Sequence, residues 1–288
     1  MGEPDWPFIG TEALSTCVVN RYQLRTRYDA VYRNVYVPKG QELTPADKAV
    51  AAWLWSGRRA TAAGLSAAAL HESLWIDARL PAELNQPSRH KTNGILLHSD
   101  ELGDDETTLV RGISATTPAR TAFDLGRRHG LTLAVIRLDA LMQATDLKQA
   151  DVTVLADRHR GVRGLARLRD AVGLSDGGAE SPQETRTRLV LTSAGLRPRR
   201  TQIDVFDGWD AFVGRIDMGW DEWLVGVAYD RTQHWTDPAT RARDIDRQAE
   251  LEALGWRIIR VSAGMLRYRP QTIVQRTRAA LRAAGAPV

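Results

Sequence analysis

The spacing of apolar positions predicts short helices and strands that fall into three stretches of the 288-residue chain. In the first, Thr11 to Thr16 reads as a short helix and turn, and Val19 to Tyr28 (VNRYQLRTRY) as a second helix. Ala30 to Pro38 (AVYRNVYVP) is rich in Val and Tyr with Asn34 at its centre, a hairpin signal. In the second stretch Thr44-Pro45-Ala46-Asp47 starts a helix, with Pro at the first helical position, where its missing N–H is no loss. Ala-rich helices run through Trp55 and from Gly64 to Leu74. Strand-like pieces follow at Ala82 to Leu84, Gly94 to His98 and Thr107 to Ala115. Helices resume at Thr117-Pro118, running to Gly130, then at Leu131 to Thr145, Gln149 to Arg160 and Arg163 to Val172. Ser175-Asp176-Gly177-Gly178 reads as a linker.

The third stretch opens on Ser181-Pro182-Gln183-Glu184, a capping box in which Ser caps the helix and Glu reaches back. That helix ends near Gly195. Gln202 to Phe206 and Phe212 to Met218 alternate as strands, and Glu222 to Asp230 is a third, joined to the second through Gly219-Trp220-Asp221. Pro238 to Leu254 is a helix, Trp256 to Val261 (WRIIRV) a strand, and Pro270 to Ala284 a basic helix. Helix, three strands, helix, strand, helix is an α/β arrangement with a mixed sheet. The first stretch has the layout of a winged helix-turn-helix, whose second helix enters the major groove while the hairpin touches the backbone. Arg21, Arg25, Arg27 and Arg33 would then supply phosphate and base-edge contacts, with Arg21 and Arg25 on one helix face. A small interaction domain with a solvated basic face is the plainer reading of the same residues. The expected domains are a winged helix-turn-helix over 1–43, an α+β middle domain over 44–178 and an α/β domain over 179–288.

Composition narrows this picture. A hydrophobic content of 43% with 26% charged residues is that of a soluble globular protein. The lone Cys17 excludes an internal disulfide and a multi-cysteine zinc site, and fits a reducing cytoplasm. No run approaches the ~18 apolar residues of a membrane span, and Glu3 and Asp5 near the start argue against a secretory leader. From Glu180 onward every basic side chain except His is Arg. Arg suits phosphate, but a codon bias towards Arg gives the same composition, so charge alone does not single out nucleic acid. His71, His90, His98, His129 and His159 show no metal-ligand spacing.

One constellation suggests chemistry. Phosphodiester hydrolysis uses a hard cation held by carboxylates, which polarises the phosphate and lowers the pKa of an attacking water. Asp217 ends the strand Arg215-Ile216-Asp217-Met218, and positions 228 and 230 lie two apart on the next strand and share a face. His234 follows, placed for proton transfer or charge stabilisation, and Glu184 stands on the preceding helix. Each has a plainer role as well. Glu184 is explained by the capping box, Asp217 and Asp230 by turn capping, His234 by surface packing, and Asp244 with Arg247 by pairing along a helix.

Glu180 to Leu266 resembles the very-short-patch-repair-like endonuclease family of the PD-(D/E)XK nuclease superfamily, through ESPQETRTRLVL, the Gln202 strand, RIDMGW, LVGVAYDRTQHW and RDIDRQAELEALGWRIIRV. The resemblance implies a restriction-endonuclease-like mixed sheet flanked by helices and a Mg2+ or Mn2+ cofactor. It also implies that Asp217 is a metal ligand with Asp230 beside it, and that His234 sits at the catalytic edge. Asp244 and Arg247 would match the helix's Asp-x-x-Arg. Two positions depart from the family: Ala228 stands where Glu is expected, and Arg231 where Gly is usual. A methyl group cannot bind a cation. The chain is then a degenerate nuclease that only binds DNA, or Asp230 and Glu184 compensate, or Ala228 was introduced deliberately. The first two stretches resemble AbiEi-type antitoxin regulators of actinobacteria, through VYRNVYVPKG, GLSAAALHESLW and TTPARTAFDL. That resemblance implies DNA binding by the N-terminal part, often at the protein's own promoter, and a toxin as protein partner. Three functions follow: a metal-dependent DNA endonuclease, a non-enzymatic DNA-binding regulator or antitoxin, and an interaction scaffold.

Overall fold

The computed structural model describes residues 4–87, 92–230 and 238–288, without the side chains of 238–242 and 244. His90, Arg231 and His234 therefore lie outside the described residues, as does the side chain of Asp244. The chain forms two compact units, Met1–Gly173 and Leu174–Val288. Both mix helices with sheets, an α/β architecture. Among the described residues no helix is long and apolar enough to cross a membrane.

The first unit opens with β1 (Phe8–Ile9), α1 (Gly10–Ser15), α2 (Arg21–Arg27), β2 (Tyr28–Tyr32) and β3 (Val35–Pro38). Asn20 sets the start of α2. Its side chain accepts the Gln23 N–H at 2.8 Å while the Gln23 side chain accepts the Asn20 N–H at 2.9 Å, so the helix begins at Arg21 and not Val19. The three strands form a sheet in the order β1-β3-β2. β1, only two residues long, has too little periodicity to show in the sequence. Asn34 turns the β2–β3 hairpin at φ 65, a left-handed conformation that Asn tolerates. Its amide also ties the hairpin to α1: Oδ1 accepts the Thr11 N–H at 3.1 Å and Nδ2 donates to Thr11 Oγ1 at 2.9 Å.

The unit continues with α3 (Pro45–Trp55), β4 (Thr61–Ala62), α4 (Gly64–Leu70), β5 (Ala82–Asn85), β6 (Ile95–His98), β7 (Thr107–Val110), β8 (Ile113–Thr116), α5 (Pro118–Arg128), α6 (Leu131–Ala144), α7 (Gln149–Arg158) and α8 (Leu165–Leu174). The sheet order is β6-β5-β4-β8-β7. Two expectations are corrected. Thr107 to Ala115 is a hairpin rather than one strand, because Arg111 and Gly112 turn the chain at φ 52 and φ 78. Arg carries no turn signal in the sequence. The helix expected to run to Leu74 stops at Leu70, where Glu72 takes a left-handed φ of 65. Tyr32 and Val35 pack in the same core as Ala52, Ala67, Leu70 and Leu84. The first 43 residues thus share their hydrophobic core with the stretch that follows, and the two expected domains form one unit.

A buried ionic network reinforces that unit. Arg120, only 2% exposed, pairs with Glu106 and Asp124. Arg127 and Arg128 bridge Asp124 to Asp100, while Glu83 binds His98 at 2.7 Å.

The second unit contains α9 (Pro182–Ser193), β9 (Arg200–Phe206), β10 (Phe212–Trp220), β11 (Val225–Tyr229), α10 (Pro238–Ala253), β12 (Arg257–Val261), α11 (Ala263–Tyr268) and α12 (Pro270–Ala283). Its sheet runs β12-β11-β10-β9. β9, β10 and β11 are antiparallel neighbours, and β11 pairs with β12 in parallel. A parallel pair needs a crossover, which α10 supplies. Leu191, Met265, Ile273 and Leu281 pack with Met218, Val225, Val227 and Val261 in one cluster, and Leu251 of α10 packs with Ile203, Val205, Ile216 and Trp256 in another. Asp221–Trp223 form a short 3-10 turn and Leu224 takes φ 48, so the strand expected from Glu222 starts at Val225. The short helix α11 was not expected.

The charged network gives the first unit a pH dependence. Burial alone would raise the Glu83 and Glu106 carboxyls. Hydrogen bonds from His98 to Glu83, and from His159 and Arg120 to Glu106, instead bring both below the ordinary value. These carboxylates stabilise the fold above the unfolded Glu value of about 4.3, and the contribution is lost as pH falls below it. Burial, and then the Arg137 charge, push His129 down to about 4. Its neutral form is stabilised, so stability also falls as pH drops below the unfolded His value of about 6.5. The urea midpoint of the first unit is expected to decline steadily on acidification from neutrality. A midpoint that is flat or rises over that range would contradict the network's role.

Candidate functional site

Two places in the fold gather the residues singled out by sequence. The first is the arginine face of α2 and the β2–β3 hairpin. Arg21, Arg25 and Arg27 lie on α2 and Arg33 at the hairpin turn, and all four are exposed. Among the described residues none of the four enters an ion pair. Tyr22, 67% exposed on the same helix, joins that face although its sequence position gave no sign of it.

The second place is a cleft of about 310 Å³ in the second unit. It is lined by Asp217 from β10, Ala228 and Tyr229 from β11, Asp230 just beyond, Arg247 and Gln248 from α10, and Arg260 from β12. Ile216 and Asp217 are neighbours on β10, yet both line the cleft. Regular alternation would send them to opposite faces. In the adjoining strand Gln202, also in the lining, takes a left-handed φ of 49, a conformation that costs a non-glycine residue about 1–3 kcal/mol and concentrates at functional sites.

The carboxylates in this cleft are already engaged. Asp217 Oδ2 accepts the Tyr229 N–H at 2.6 Å. Asp230 is anchored by its own N–H, which donates to the Val261 carbonyl at 2.8 Å, and its carboxylate pairs with Arg260 at 3.1 Å. Arg260 also donates to Gln248 Oε1 at 3.2 Å. Ala228 and Arg260 are register partners across the parallel β11–β12 pair, so the guanidinium rises from the same face as the short methyl. Arg247 lies across Gly214, where a Cβ would come within 2.9 Å of the arginine Cδ. Burial first, and the Asp230 charge second, raise the Tyr229 phenol above its ordinary value.

Glu184 stands apart from the cleft lining. It is 1% exposed in the first turn of α9 and accepts hydrogen bonds from Ser181 Oγ at 2.8 Å, the Glu180 N–H at 2.8 Å and Gln202 Nε2 at 3.2 Å. The capping box is therefore altered: Glu184 reaches the Ser181 hydroxyl and the N–H one residue further back. Through Gln202 it braces the cleft wall.

These residues do not by themselves fit a divalent cation. Mg2+ asks for near-octahedral oxygen coordination. Ala228 offers no oxygen, Asp230 is paired with a guanidinium, and Glu184 is bound up in its cap. Among the described residues no group of three or more His, Cys, Asp or Glu is placed to hold a metal ion. Arg215 also lines the cleft, paired with Asp204 and Glu180, and neither it nor Gln202 nor Arg260 stands out as a site residue in the sequence. The parallel pairing of β12 brings Arg260 in, and nothing local to WRIIRV announces it.

No protein-family model matches the chain, and no solved structure matches it. Two uncharacterized proteins from two strains of Mycobacterium tuberculosis are each 29% identical over 167 residues, which is 58% of this chain and 61% of theirs. The chain thus matches less than two thirds of the length of these curated relatives, and their names assign no activity.

The geometry makes Glu184 a bracing group. Glu184→Ala is expected to destabilise the second unit by about 1–3 kcal/mol, since it strands buried donors of Ser181, Glu180 and Gln202. Urea unfolding followed by tryptophan fluorescence measures this. Unchanged stability would return Glu184 to the candidate chemical groups.

Proposed function

We propose that this chain is a DNA-binding protein that grips a duplex through α2 and the β2–β3 hairpin, and that its second unit is an endonuclease-like domain that does not cut. The observation that carries the DNA reading is the set Arg21, Arg25, Arg27 and Arg33, all exposed and none in an ion pair among the described residues. Like charges held together on one small element repel one another, and a phosphate backbone relieves that repulsion while releasing its own counterions. Arg21 and Arg25, one turn apart, suit the groove, and Arg33 at the hairpin turn suits the flanking backbone.

The absence of cutting is supported by the cleft around Ala228. The position expected to carry a metal-binding carboxylate holds a methyl, and Asp230 is drawn onto Arg260. The resemblance to antitoxin regulators makes the DNA upstream of the protein's own gene the first target to test, and a toxin the first protein partner.

In a band-shift assay on that DNA the full chain is expected to give a salt-sensitive complex. Arg21→Ala and Arg25→Ala should each weaken it by about 1–3 kcal/mol if they reach base edges, or flatten the salt dependence by about one ion if they meet phosphate. Supercoiled plasmid should stay intact with Mg2+ or Mn2+. Cutting by the unaltered chain would remove the non-cleaving reading. Cutting only by Ala228→Glu would identify a nuclease disabled at one residue.

A further inference from the structure

A second cleft, of about 410 Å³, opens beside the hairpin of the first unit. Among the described residues its lining includes Arg33, Asn34, Trp55, Ser56, Arg59 and Gln86, and no carboxylate. The cleft of the second unit differs in this respect, since there Arg215, Arg247 and Arg260 face Glu180, Asp217 and Asp230. The cleft beside the hairpin is cationic without internal compensation.

The loop between α3 and β4 is built to present Arg59. Ser56 Oγ accepts the N–H groups of Arg59 at 3.2 Å and Ala60 at 3.1 Å. Gly57 and Arg58 take φ 69 and φ 63, which folds the loop back on itself. Arg59 Nε donates to the Ser56 carbonyl at 3.2 Å, which directs its guanidinium. The neighbouring Arg58 goes elsewhere and binds both oxygens of Glu12, at 2.6 and 2.7 Å. Two adjacent arginines thus have opposite fates, one neutralised and one without an ion pair among the described residues. Arg33 reaches the same cleft from a hairpin turn that the Asn34–Thr11 bonds hold in place.

We infer that Arg33 and Arg59 form a phosphate clamp, which takes a backbone phosphodiester of the duplex gripped by α2. This rests on the DNA-binding reading and extends its footprint to a residue outside the first 43. Both guanidiniums stand on backbone fixed by hydrogen bonds, so little order has to be imposed when the anion arrives. The lack of a lining carboxylate removes the repulsion that would otherwise oppose it. The apolar floor of Ile9, Leu54 and Trp55 suits the sugar beside the phosphate. A free nucleotide or inorganic phosphate presents the same chemistry, so both sources have to be tried.

The test uses the full chain and fluorescence anisotropy on the upstream duplex across a salt series. Arg59→Ala is expected to lower the salt slope by about one and weaken binding about three- to tenfold, as Arg33→Ala does. The paired change of Glu12→Ala with Arg58→Ala, which removes an ion pair without altering the net charge, should leave slope and affinity within about twofold. Thermal melts establish that each variant is folded. If Arg59→Ala leaves the slope unchanged while Arg21→Ala and Arg25→Ala still weaken binding, the clamp is wrong and the DNA reading stands. If the unaltered chain binds no duplex, both are wrong. Calorimetry with inorganic phosphate and with adenosine monophosphate closes the remaining route. Saturable, Arg59-dependent binding of either, with DNA affinity untouched by Arg59→Ala, would overturn the backbone assignment in favour of a small-anion site.

Discussion

The parallel pairing of β11 with β12 decides what the second unit can be. Two parallel strands cannot be joined by a tight turn, so α10 has to cross over between them. The crossover packs Leu251 against Ile203, Val205 and Ile216, and it carries Arg247 and Gln248 to the cleft. The same pairing sets Arg260 beside Ala228 and draws Asp230 against Val261. A one-residue slip of this register would have turned Arg260 to the other face of the sheet. The cleft is therefore made by topology, and its chemistry follows from which side chains the register brings level.

Partnering divides the arginines of this protein into two kinds. Arg120, Arg127 and Arg128 are largely buried and held by Glu106, Asp124 and Asp100, so their charges serve the fold of the first unit. A buried pair gains little net stability from its attraction, but breaking it strands a charge away from water. Arg21, Arg25, Arg27, Arg33 and Arg59 are exposed and lack such partners among the described residues. Composition counts both kinds alike, which is why a high arginine content says so little until the partners are known.

Much of the local structure was legible. The Thr44, Thr117 and Ser181 caps begin helices at Pro45, Pro118 and Pro182, because a hydroxyl that accepts an orphan N–H acts over three residues. The hairpin around Asn34 was legible for the same reason: Asn tolerates a left-handed turn. The hairpin at Arg111 was not, since Arg takes φ 52 only under tertiary constraint. β1 and β4 are two residues each and acquire meaning only from the strands beside them. At the candidate site, Asp217, Ala228 and Asp230 could be grouped from their spacing on a hairpin. Glu184 could not be separated from its cap, and Gln202 and Arg260 could not be found, because their roles arise from a strained φ and from a strand pairing across α10.

The sequence by itself determined the helices with strong caps, the α/β order of the last third, the arginines of α2 and the methyl side chain at position 228. These depend on interactions spanning a few residues, or on the bare identity of one. The tertiary structure decided that the first 43 residues share a core with those that follow, that Asp230 is neutralised by Arg260, and that Arg58 enters an ion pair while Arg59, among the described residues, does not. Each of these turns on which groups meet across the fold, and a charge takes its meaning from the group it meets.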